Sequence, residues 1–329
     1  MNWRNNAHLF LVKNKLIFML TAFNSLKTFI YLIKSRFDIR YRDNINFERA
    51  KTFCQYFNNK EKKNILLQWF NEKDRILLTD LIWRIEHMAF NNIWIYSKIF
   101  TKDDEKDRID YIKYFYTAPI DNYFKNILWN LYNEYYISKS IKELLWLKEY
   151  DWRDILDCGA FIGDSAVIFS DTFPKSKIYA FEPNQQNLEW LWKTISHFDK
   201  QDIIIPTKFW VSDKTWEIKM DWFGAGSKLD INWEGEVIKL TTIDKFVNEN
   251  NLNPGIIKMD IEWAEYSAII WAEETIKQFK PVLFISIYHN GRDFFEIKPL
   301  IESWDLWYKF TIHRRNHVFP YSEIILVCY

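Results

Sequence analysis

Two stretches of the sequence carry residues whose types and spacing suit the binding of a nucleoside. An apolar run ends in Asp157, and a turn containing Gly159 and Gly163 follows it; further on, a second strand-like run ends in Glu182. In a sheet of alternating strands and helices, such glycines let the backbone approach a ligand, and an acid after the second strand can accept hydrogen bonds from two ribose hydroxyls. The pattern predicts a nucleoside-cofactor site. An α/β turn without a ligand is the alternative, and Glu182 weighs against it.

The spacing of the glycines distinguishes between nucleoside cofactors. A dinucleotide fingerprint centred on Gly159 requires glycines at positions 157 and 162, where this chain has Asp157 and Ile162. A pyrophosphate site is therefore disfavoured. A carboxylate beside the turn attracts a cation and repels phosphate. The turn favours a cofactor with a sulfonium and an amino-acid tail, S-adenosylmethionine, over NAD.

Further along, acids and a histidine fall at the ends of two predicted strands. In the strand IIKMDIE, which ends at Glu262, side chains alternate between faces, so Asp260 and Glu262 are expected to share one side. The next predicted strand delivers His289, whose side chain has an unperturbed pKa close to neutrality. We predict that His289 accepts a proton from a substrate. Asp260 is the rival base, and Glu262 and Glu265 are expected to orient the acceptor or the start of a helix.

Six short segments occur in the order seen in FkbM-type methyltransferases, and residues 140–329 resemble that family. They are DCGAFIGD at 157–164, FEP at 181–183, VSD at 211–213, LTTID at 240–244, IKMDIE at 257–262 and SIYH at 286–289. The resemblance implies a class I fold that depends on S-adenosylmethionine and transfers a methyl group to a hydroxyl of a sugar, glycan or polyketide. It also implies that the cofactor is bound by Asp157, Gly159, Ala160, Phe161, Gly163, Asp164, Glu182, Ser212 and Asp213.

One position departs from the family pattern, which has glycine after the segment DIE where this chain has Trp263. Two alternatives to methyl transfer onto a small hydroxyl compound stay open. If Trp263 blocks the acceptor site, the protein is a non-catalytic cofactor-binding or scaffold protein. A protein or nucleic-acid acceptor is the other alternative, which the balance of 44 Lys+Arg against 44 Asp+Glu disfavours.

The elements around these residues indicate an α/β protein. Strand-like runs alternate with helical stretches and lie near residues 154–157, 177–181, 203–212, 256–262 and 281–288. Such alternation predicts a mainly parallel sheet, and the resemblance to the family implies that this sheet is of the Rossmann-like, class I methyltransferase type. Residues 214–240 interrupt it with two further predicted strands around a turn at 224–227.

A helical pattern over residues 47–116 precedes this part of the chain. Residues 117–119 mark the boundary, because the residue before a proline is pushed out of helix. We predict an N-terminal helical extension over residues 1–118 and a methyltransferase domain over residues 119–329. The chemistry described above belongs to the second of these.

The cysteines and the basic residues 1–43 indicate where in the cell the protein is located. Cys54, Cys158 and Cys328 are scattered without metal-binding spacing, so neither zinc nor a disulfide framework is expected; no other metal is expected either. Residues 1–43 hold eight Lys or Arg against two Asp. Their apolar stretch at 16–33 is interrupted and short of the roughly 20 residues that span a membrane. We expect a cytoplasmic protein, with peripheral membrane contact through this basic segment as an alternative to its packing on the domain.

Tryptophan is unusually frequent and glycine unusually rare, at 17 and 7 residues. Average usage of about 7% would give roughly 23 glycines in this length. Trp216, Trp263, Trp271 and Trp307 stand where turns or the family pattern favour glycine. We hypothesise that many of these residues are encoded by UGA in a genome that reads this codon as glycine. The alternative is that they are true tryptophans, in which case Trp263 crowds the acceptor.

Overall fold

A computed structural model describes residues 44–57, 60–91, 145–213, 215, 217–220, 236–314 and 324–329. Its strands are built mainly from β-branched, aromatic and other apolar residues, which pack well on a pleated surface. They are β1 (Asp154–Cys158), β2 (Ile178–Phe181), β3 (Ile204–Thr207), β4 (Trp210–Val211), β5 (Glu217–Met220), β6 (Glu236–Thr241), β7 (Pro254–Met259), β8 (Val282–Ser286), β9 (Phe310–Arg314) and β10 (Ile324–Cys328).

Seven of these strands form one sheet in the order β3-β2-β1-β7-β8-β10-β9. Neighbours from β3 to β8 pair in parallel, and β10 pairs antiparallel with both β8 and β9. The carboxyl ends of β1, β2, β7 and β8 therefore meet at one edge, and the order changes direction between β1 and β7. In open α/β sheets this is where ligands bind. A smaller sheet holds β4, β6 and β5.

Helices cover both faces of the large sheet. They are α1 (Asn44–Phe57), α2 (Lys60–Leu67), α3 (Glu72–Asn91), α4 (Asp164–Thr172), α5 (Gln185–His197), α6 (Ile243–Glu249), α7 (Glu265–Ile270), α8 (Glu273–Phe279) and α9 (Gly291–Ser303), with a 3₁₀ helix at Leu145–Tyr150. Alternate strand residues face two separate cores: Leu156 and Ile257 belong to one, and Ile155 and Ile256 to the other. Both faces are buried, as a parallel sheet requires.

The N-terminal helices pack on the core of the sheet. Phe53 and Tyr56 of α1 contact Phe294 and Phe295 of α9, with ring centroids 5.8 and 6.4 Å apart. Asp74 of α3 accepts a hydrogen bond from the amide of Ile312 in β9, at 3.4 Å. Helices α1 to α3 share one hydrophobic core with β7 to β10, so this part of the predicted extension is integrated with the sheet.

The predicted mainly parallel sheet is confirmed, with differences at the element ends. The third predicted strand is two strands, β3 and β4, and the two strands predicted within residues 214–240 pair antiparallel as β5 and β6. The turn at 224–227, the boundary at 117–119 and the basic residues 1–43 lie outside the described residues. Within the described part of the chain, no helix has the length and apolar character to cross a membrane.

Candidate functional site

The turn after β1 is held between the ends of β2 and β7. The amides of Gly159 and Ala160 both donate to the carbonyl of Phe181, at 3.1 and 2.9 Å. Gly159 has a φ of 81°, and a Cβ at this residue would lie 1.9 Å from the carbonyl oxygen of Asp260. Glycine is therefore required here, both for its positive φ and for the close approach of two backbones. The predicted cofactor turn is joined to the segment that carries Asp260.

The rest of the turn leads into α4. Phe161 has a φ of 49° and is 38% exposed, so its ring faces solvent beside the strand ends. Gly163, with a φ of 92°, immediately precedes the helix. Asp164 is buried, and this burial raises the pKa of its carboxyl. Of the residues that the sequence assigned to this turn, Phe161 is thus the exposed one.

Asp157 is engaged inside the protein. Its Oδ2 accepts a hydrogen bond from Ser165 Oγ at 2.6 Å, and its Oδ1 lies 2.9 Å from Lys258 Nζ. Lys258 also donates to the carbonyl of Gly159 at 2.7 Å. Burial by itself lowers the pKa of a lysine, but Asp157 and Asp260 raise that of Lys258, so the side chain stays charged. Sequence analysis missed Lys258, although a lysine inside an apolar strand signals a buried carboxylate partner.

Glu182 stands at the carboxyl end of β2 and is 5% exposed. Its Oε1 accepts hydrogen bonds from the backbone amide of Asn184 at 2.9 Å and from Asn187 Nδ2 at 3.3 Å. Burial raises the pKa of this carboxyl to about 7, although these bonds and one from the amide of Phe161 act in the opposite direction. Asn184 also caps α5, so the start of this helix fixes the acid that was predicted to bind ribose.

Ser212 and Asp213 follow β4 at the smaller sheet. The Ser212 amide donates to the carbonyl of Thr241 at 2.9 Å, and Ser212 Oγ donates to Asp213 Oδ1 at 3.0 Å. Phe246 packs against Phe181 at the end of β2, with ring centroids 4.7 Å apart. The same ring also contacts Phe209, just before β4, which connects this edge with the strand that carries Glu182.

His289 follows β8 and reaches the residue after β7. Its Nε2 lies 3.5 Å from Asp260 Oδ1, and the hydroxyl of Tyr288 donates to the same oxygen at 3.3 Å. The structure therefore brings together the two residues that the sequence proposed as base and rival base. His289 is buried, while Asp260 is half-buried at the edge of the sheet.

The other imidazole nitrogen of His289 meets Glu265, the first residue of α7. Nδ1 lies 2.7 Å from Glu265 Oε1, which also accepts the amide of Ile261 at 2.9 Å. Burial alone lowers the pKa of a histidine, but the charge and hydrogen bond of Glu265, together with the charge of Asp260, raise that of His289 to about 9. Glu265 thus contacts the start of the helix, as expected, and it also orients the histidine.

The alternation that was used to place Glu262 beside Asp260 does not apply, because both residues follow the end of β7, and a role of Glu262 in the site stays a prediction. Strand β7 ends at Met259, and side chains stop alternating where the strand stops. Glu262 and Trp263 have φ angles of 50° and 79°, so both residues lie in the left-handed region and do not continue the strand. The second acid that reaches His289 is Glu265, at the beginning of the following helix. The alternation of side chains holds only within a strand, so it could not predict that Glu265 contacts His289.

The same residues have the spacing of a possible cation site. Asp260, Glu265 and His289 offer ligand atoms that all lie within 4.8 Å of one another. His289 Nδ1 lies 2.7 Å from Glu265 Oε1, and within the described part of the chain neither His289 Nδ1 nor Glu265 Oε2 has a hydrogen-bond partner. The absence of a metal stays a prediction.

Comparisons with known proteins show a domain and a fold that this chain resembles. Residues 157–315 match the family described as Methyltransferase FkbM domain. The fold is similar to that of Methyltransferase FkbM from Methylobacillus flagellatus KT, with a TM-score of 0.54 and 18% identity over 84% of this chain and 60% of that chain. A putative caffeoyl-CoA O-methyltransferase from Staphylococcus aureus follows at a TM-score of 0.40 and 10% identity, covering 69% and 99% of the two chains. No curated protein matches the sequence.

The strand order, with an antiparallel β10 between β8 and β9, and the ligand-binding edge beside β1 define a class I, Rossmann-like methyltransferase fold. Residues 157–315 match the FkbM methyltransferase domain, which confirms the resemblance of the six sequence segments. The protein therefore carries a methyltransferase domain, and the methyl donor of such domains is S-adenosylmethionine. The chain spans about three fifths of the length of the Methylobacillus protein.

Proposed function

We propose that the protein transfers a methyl group from S-adenosylmethionine to a hydroxyl of a sugar, a glycan or a related small molecule. The observation that carries this proposal is the pair Asp260 and His289. They stand 3.5 Å apart at the carboxyl ends of neighbouring strands, and the backbone of Asp260 touches the turn at Gly159. A proton acceptor and the predicted cofactor turn thus share one edge of the sheet.

The residues at this edge fit the cofactor. Glu182 offers a carboxylate at the end of β2, where it can accept the two hydroxyls of a ribose. Asp157 is fully buried and paired with Lys258, so its charge is neutralised and does not by itself select a sulfonium over a phosphate. When bound, S-adenosylmethionine supplies a methyl group activated by its sulfonium. Main-chain groups of residues 159–161, with Ser212 and Asp213 at the neighbouring edge, complete the proposed site.

The chain's own contribution is positioning and proton transfer. Methyl transfer forms a bond from the acceptor oxygen to the methyl carbon as the carbon–sulfur bond breaks and sulfur keeps the electron pair. Holding oxygen and carbon in line supplies most of the acceleration. His289 takes the hydroxyl proton on Nε2, which adds about 10²- to 10⁴-fold. Asp260 faces the same nitrogen, and it is the alternative proton acceptor.

One observation favours a second candidate. Trp263 follows the catalytic edge with a φ of 79°, and 40% of its surface is exposed. If the residue is a true tryptophan, its indole crowds the acceptor, and the protein binds S-adenosylmethionine without transferring its methyl group. Replacing Trp263 by glycine distinguishes the two candidates, because only a blocked enzyme gains activity from the change.

Incubation with methyl-labelled S-adenosylmethionine tests the proposed function. We expect label in hydroxyl-bearing sugars or glycans and none in a panel of proteins and RNA. His289→Gln should lower the rate at least about 100-fold, whereas His197→Gln, an exposed histidine on α5, should leave it unchanged. Label in protein or RNA would replace the proposed acceptor class, and a wild-type protein that binds the cofactor but labels nothing would favour the scaffold role.

We also propose a cellular location for the protein. We expect a cytoplasmic protein, and contact of the basic residues 1–43 with anionic membranes is the alternative to their packing on the domain, since acidic lipids attract Lys and Arg. Flotation with phosphatidylserine and with phosphatidylcholine vesicles tests this. Binding that requires phosphatidylserine supports membrane contact, and equal recovery with both vesicles contradicts it.

A further inference from the structure

Lys258 is a buried, charged side chain beside the proposed cofactor turn. It belongs to β7 and is 4% exposed. Its Nζ lies 2.9 Å from Asp157 Oδ1 and donates to the carbonyl of Gly159 at 2.7 Å. Ser165 Oγ donates to the other oxygen of Asp157 at 2.6 Å, which holds this carboxylate in place. One ammonium group therefore joins β7 both to β1 and to the turn that follows β1.

The peptide group between Gly159 and Ala160 is bonded from both sides of β1. Its carbonyl accepts a hydrogen bond from Lys258 in β7, at 2.7 Å. Its N–H, which belongs to Ala160, donates to the carbonyl of Phe181 in β2, at 2.9 Å. Strands β2 and β7 are the two neighbours of β1 in the sheet. Because both polar groups of this peptide are held, its plane cannot rotate without breaking a hydrogen bond.

The residue type at position 159 does not by itself fix this peptide. Gly159 has a φ of 81°, and glycine populates several backbone conformations at similar free energy. Phe161, two residues further on, also has a positive φ, of 49°, and its ring is exposed at the strand ends. The orientation of the peptide thus decides how the main chain of residues 159–161 is presented to the cofactor. A donor to the Gly159 carbonyl supplies the restraint that glycine does not.

Stability alone does not explain the charge of Lys258. Moving two charges out of water is costly, and replacing a buried ion pair by apolar residues of similar volume is often neutral or stabilising. Asp157 and Lys258 are 0% and 4% exposed, so the pair carries this cost. An apolar residue at position 258 could pack in the strand as Ile256 and Ile257 do, but it could not donate to Gly159. The bond to that carbonyl is what a lysine provides here.

We propose that Lys258 is a positioning residue for the cofactor: it fixes the peptide group between Gly159 and Ala160 and so holds the turn in the conformation that binds S-adenosylmethionine. Asp157 is the buried counter-charge that allows the lysine to be there. This inference rests on the proposed function, since it assigns a role within the same site. Lys258 lies two residues before Asp260, so one segment carries both a proposed proton acceptor and the side chain that orients the turn.

Calorimetric titration with S-adenosylmethionine, without an acceptor, tests this role. Lys258→Met alone leaves the carboxylate of Asp157 buried and unpaired, which is strongly destabilising. The comparison is therefore between Asp157→Asn and Asp157→Asn/Lys258→Met, which both lack that carboxylate. We expect the double variant to bind the cofactor about 10- to 100-fold more weakly than the single variant, the effect of losing a hydrogen bond to a charged group. Equal dissociation constants would overturn the proposal.

Lys298 provides the matched control. It is 1% exposed and is paired with one acid, Glu302, at 2.9 Å, but it lies on α9 and bonds to no residue of the cofactor turn. Lys298→Met should leave the dissociation constant of the cofactor unchanged. A weakening as large as that of the double variant would show that the loss of any buried lysine lowers the affinity, and it would overturn the proposal.

Amide hydrogen exchange without ligand provides a local readout. The amides of Gly159 and Ala160 should exchange faster in the double variant than in Asp157→Asn, whereas the amides within β2 should exchange at equal rates in the two proteins. A merely structural role of Lys258 predicts faster exchange throughout the sheet. That result would contradict a positioning role.

Two outcomes separate this inference from the proposed function. If the wild type binds S-adenosylmethionine and transfers no methyl group, but the two variants differ in affinity as expected, the proposed function fails and the positioning role stands. If the wild type transfers methyl groups and the two variants have the same KM for S-adenosylmethionine, the positioning role fails alone. In the active enzyme we expect the KM for the cofactor to rise with its dissociation constant, while the KM for the acceptor stays unchanged.

Discussion

Glu182 has an ionisation that the protein itself shifts. Because its pKa rises from 4.5 to about 7 on folding, the folded state binds a proton more tightly than the unfolded state does. The resulting stability is complete below pH 4.5 and is lost as the pH rises through 7. We expect the melting temperature of wild type without cofactor to fall more over this interval than that of Glu182→Gln. The exposed Glu189→Gln on α5 should behave as wild type, and parallel curves for all three proteins would contradict the assignment.

The same residue should control cofactor affinity. Hydrogen bonds to a charged group contribute about 1.5 to 3 kcal/mol, so Glu182→Ala should weaken S-adenosylmethionine binding about 10- to 100-fold in isothermal titration calorimetry. We also expect the wild-type protein to bind S-adenosylmethionine much more tightly than NAD. Tighter binding of NAD, or an unchanged dissociation constant in Glu182→Ala, would show that the turn and this acid hold a different ligand or none.

His289 predicts the direction of the pH–rate profile. Its pKa near 9 means that the imidazole is protonated at neutral pH, and only the neutral form accepts a proton. If His289 is the base, methyl transfer should rise with pH and level off near 9. A rate that instead falls as His289 loses its proton would assign the base to Asp260, with the imidazolium as its partner. The measurement is kcat/KM across pH 6 to 10, compared with His289→Gln.

At the scale of elements, the turns between strand and helix depend on two glycines of unequal tolerance. A Cβ at Gly159 would lie 1.9 Å from a backbone carbonyl oxygen, whereas one at Gly163 would lie 2.6 Å from the end of the flexible Leu191 side chain. Both residues have positive φ, which costs alanine about 1 to 2 kcal/mol. Gly163→Ala should lose about that amount of unfolding free energy, and Gly159→Ala clearly more, as measured by chemical denaturation. Equal losses would show that the β1 turn can move away from β7.

The sequence was sufficient to predict those helices and strands that depend on a local pattern of residues. The alternation of strands and helices predicted the parallel sheet, and helix α5 occupies the predicted residues 185–197. The antiparallel β10 and the pairing of Asp157 with Lys258 depend on contacts between distant segments, which periodicity does not encode. Glu265 reaches His289 beyond the end of β7, after two residues with positive φ, Glu262 and Trp263. The exact end of a strand decides that geometry, and a sequence pattern locates strand ends poorly.

Across the whole molecule, the backbone conformation of the tryptophans helps to explain why the chain has so many of them. Trp69, Trp263 and Trp307 have φ angles of 62°, 79° and 66°, and they are 79%, 40% and 86% exposed. A large apolar residue gains little from exposure and is strained at positive φ, whereas glycine is not. The hypothesis of glycine-coding UGA is supported at these positions. Trp271 has a φ of −93° and gives no such support, and Trp216 lies outside the described residues.

The gene sequence and the native protein test this hypothesis. We expect UGA codons and glycine, identified by peptide mass spectrometry, at positions 69, 263 and 307. Trp210 is 6% exposed within the core of the smaller sheet, and it should be a true tryptophan encoded by UGG. UGG codons at positions 69, 263 and 307, as at position 210, would refute the hypothesis.

Stability measurements check the same point on the protein with tryptophan at these positions. Changing Trp69 or Trp307 to glycine should raise the free energy of unfolding by about 1 kcal/mol through relief of positive φ. Trp192→Gly, in the interior of α5, should lower it by about 1 kcal/mol because glycine weakens a helix. A loss in all three variants would show that the indoles contribute packing that outweighs the strain.

The core shared by α1 to α3 and the strands β9 and β10 has a consequence for biosynthesis. Phe70 packs against Phe310, and Asp74 bonds to Ile312, which is synthesised 238 residues later. Until then, the apolar faces of α1 to α3 lack the partners on β9 and β10 that cover them in the folded protein. Domains usually fold from the N-terminus during synthesis, but here α1 to α3 need strands that are made much later. A ribosome that stops before residue 310 therefore releases a chain with an exposed apolar surface, a natural substrate for chaperones and proteases.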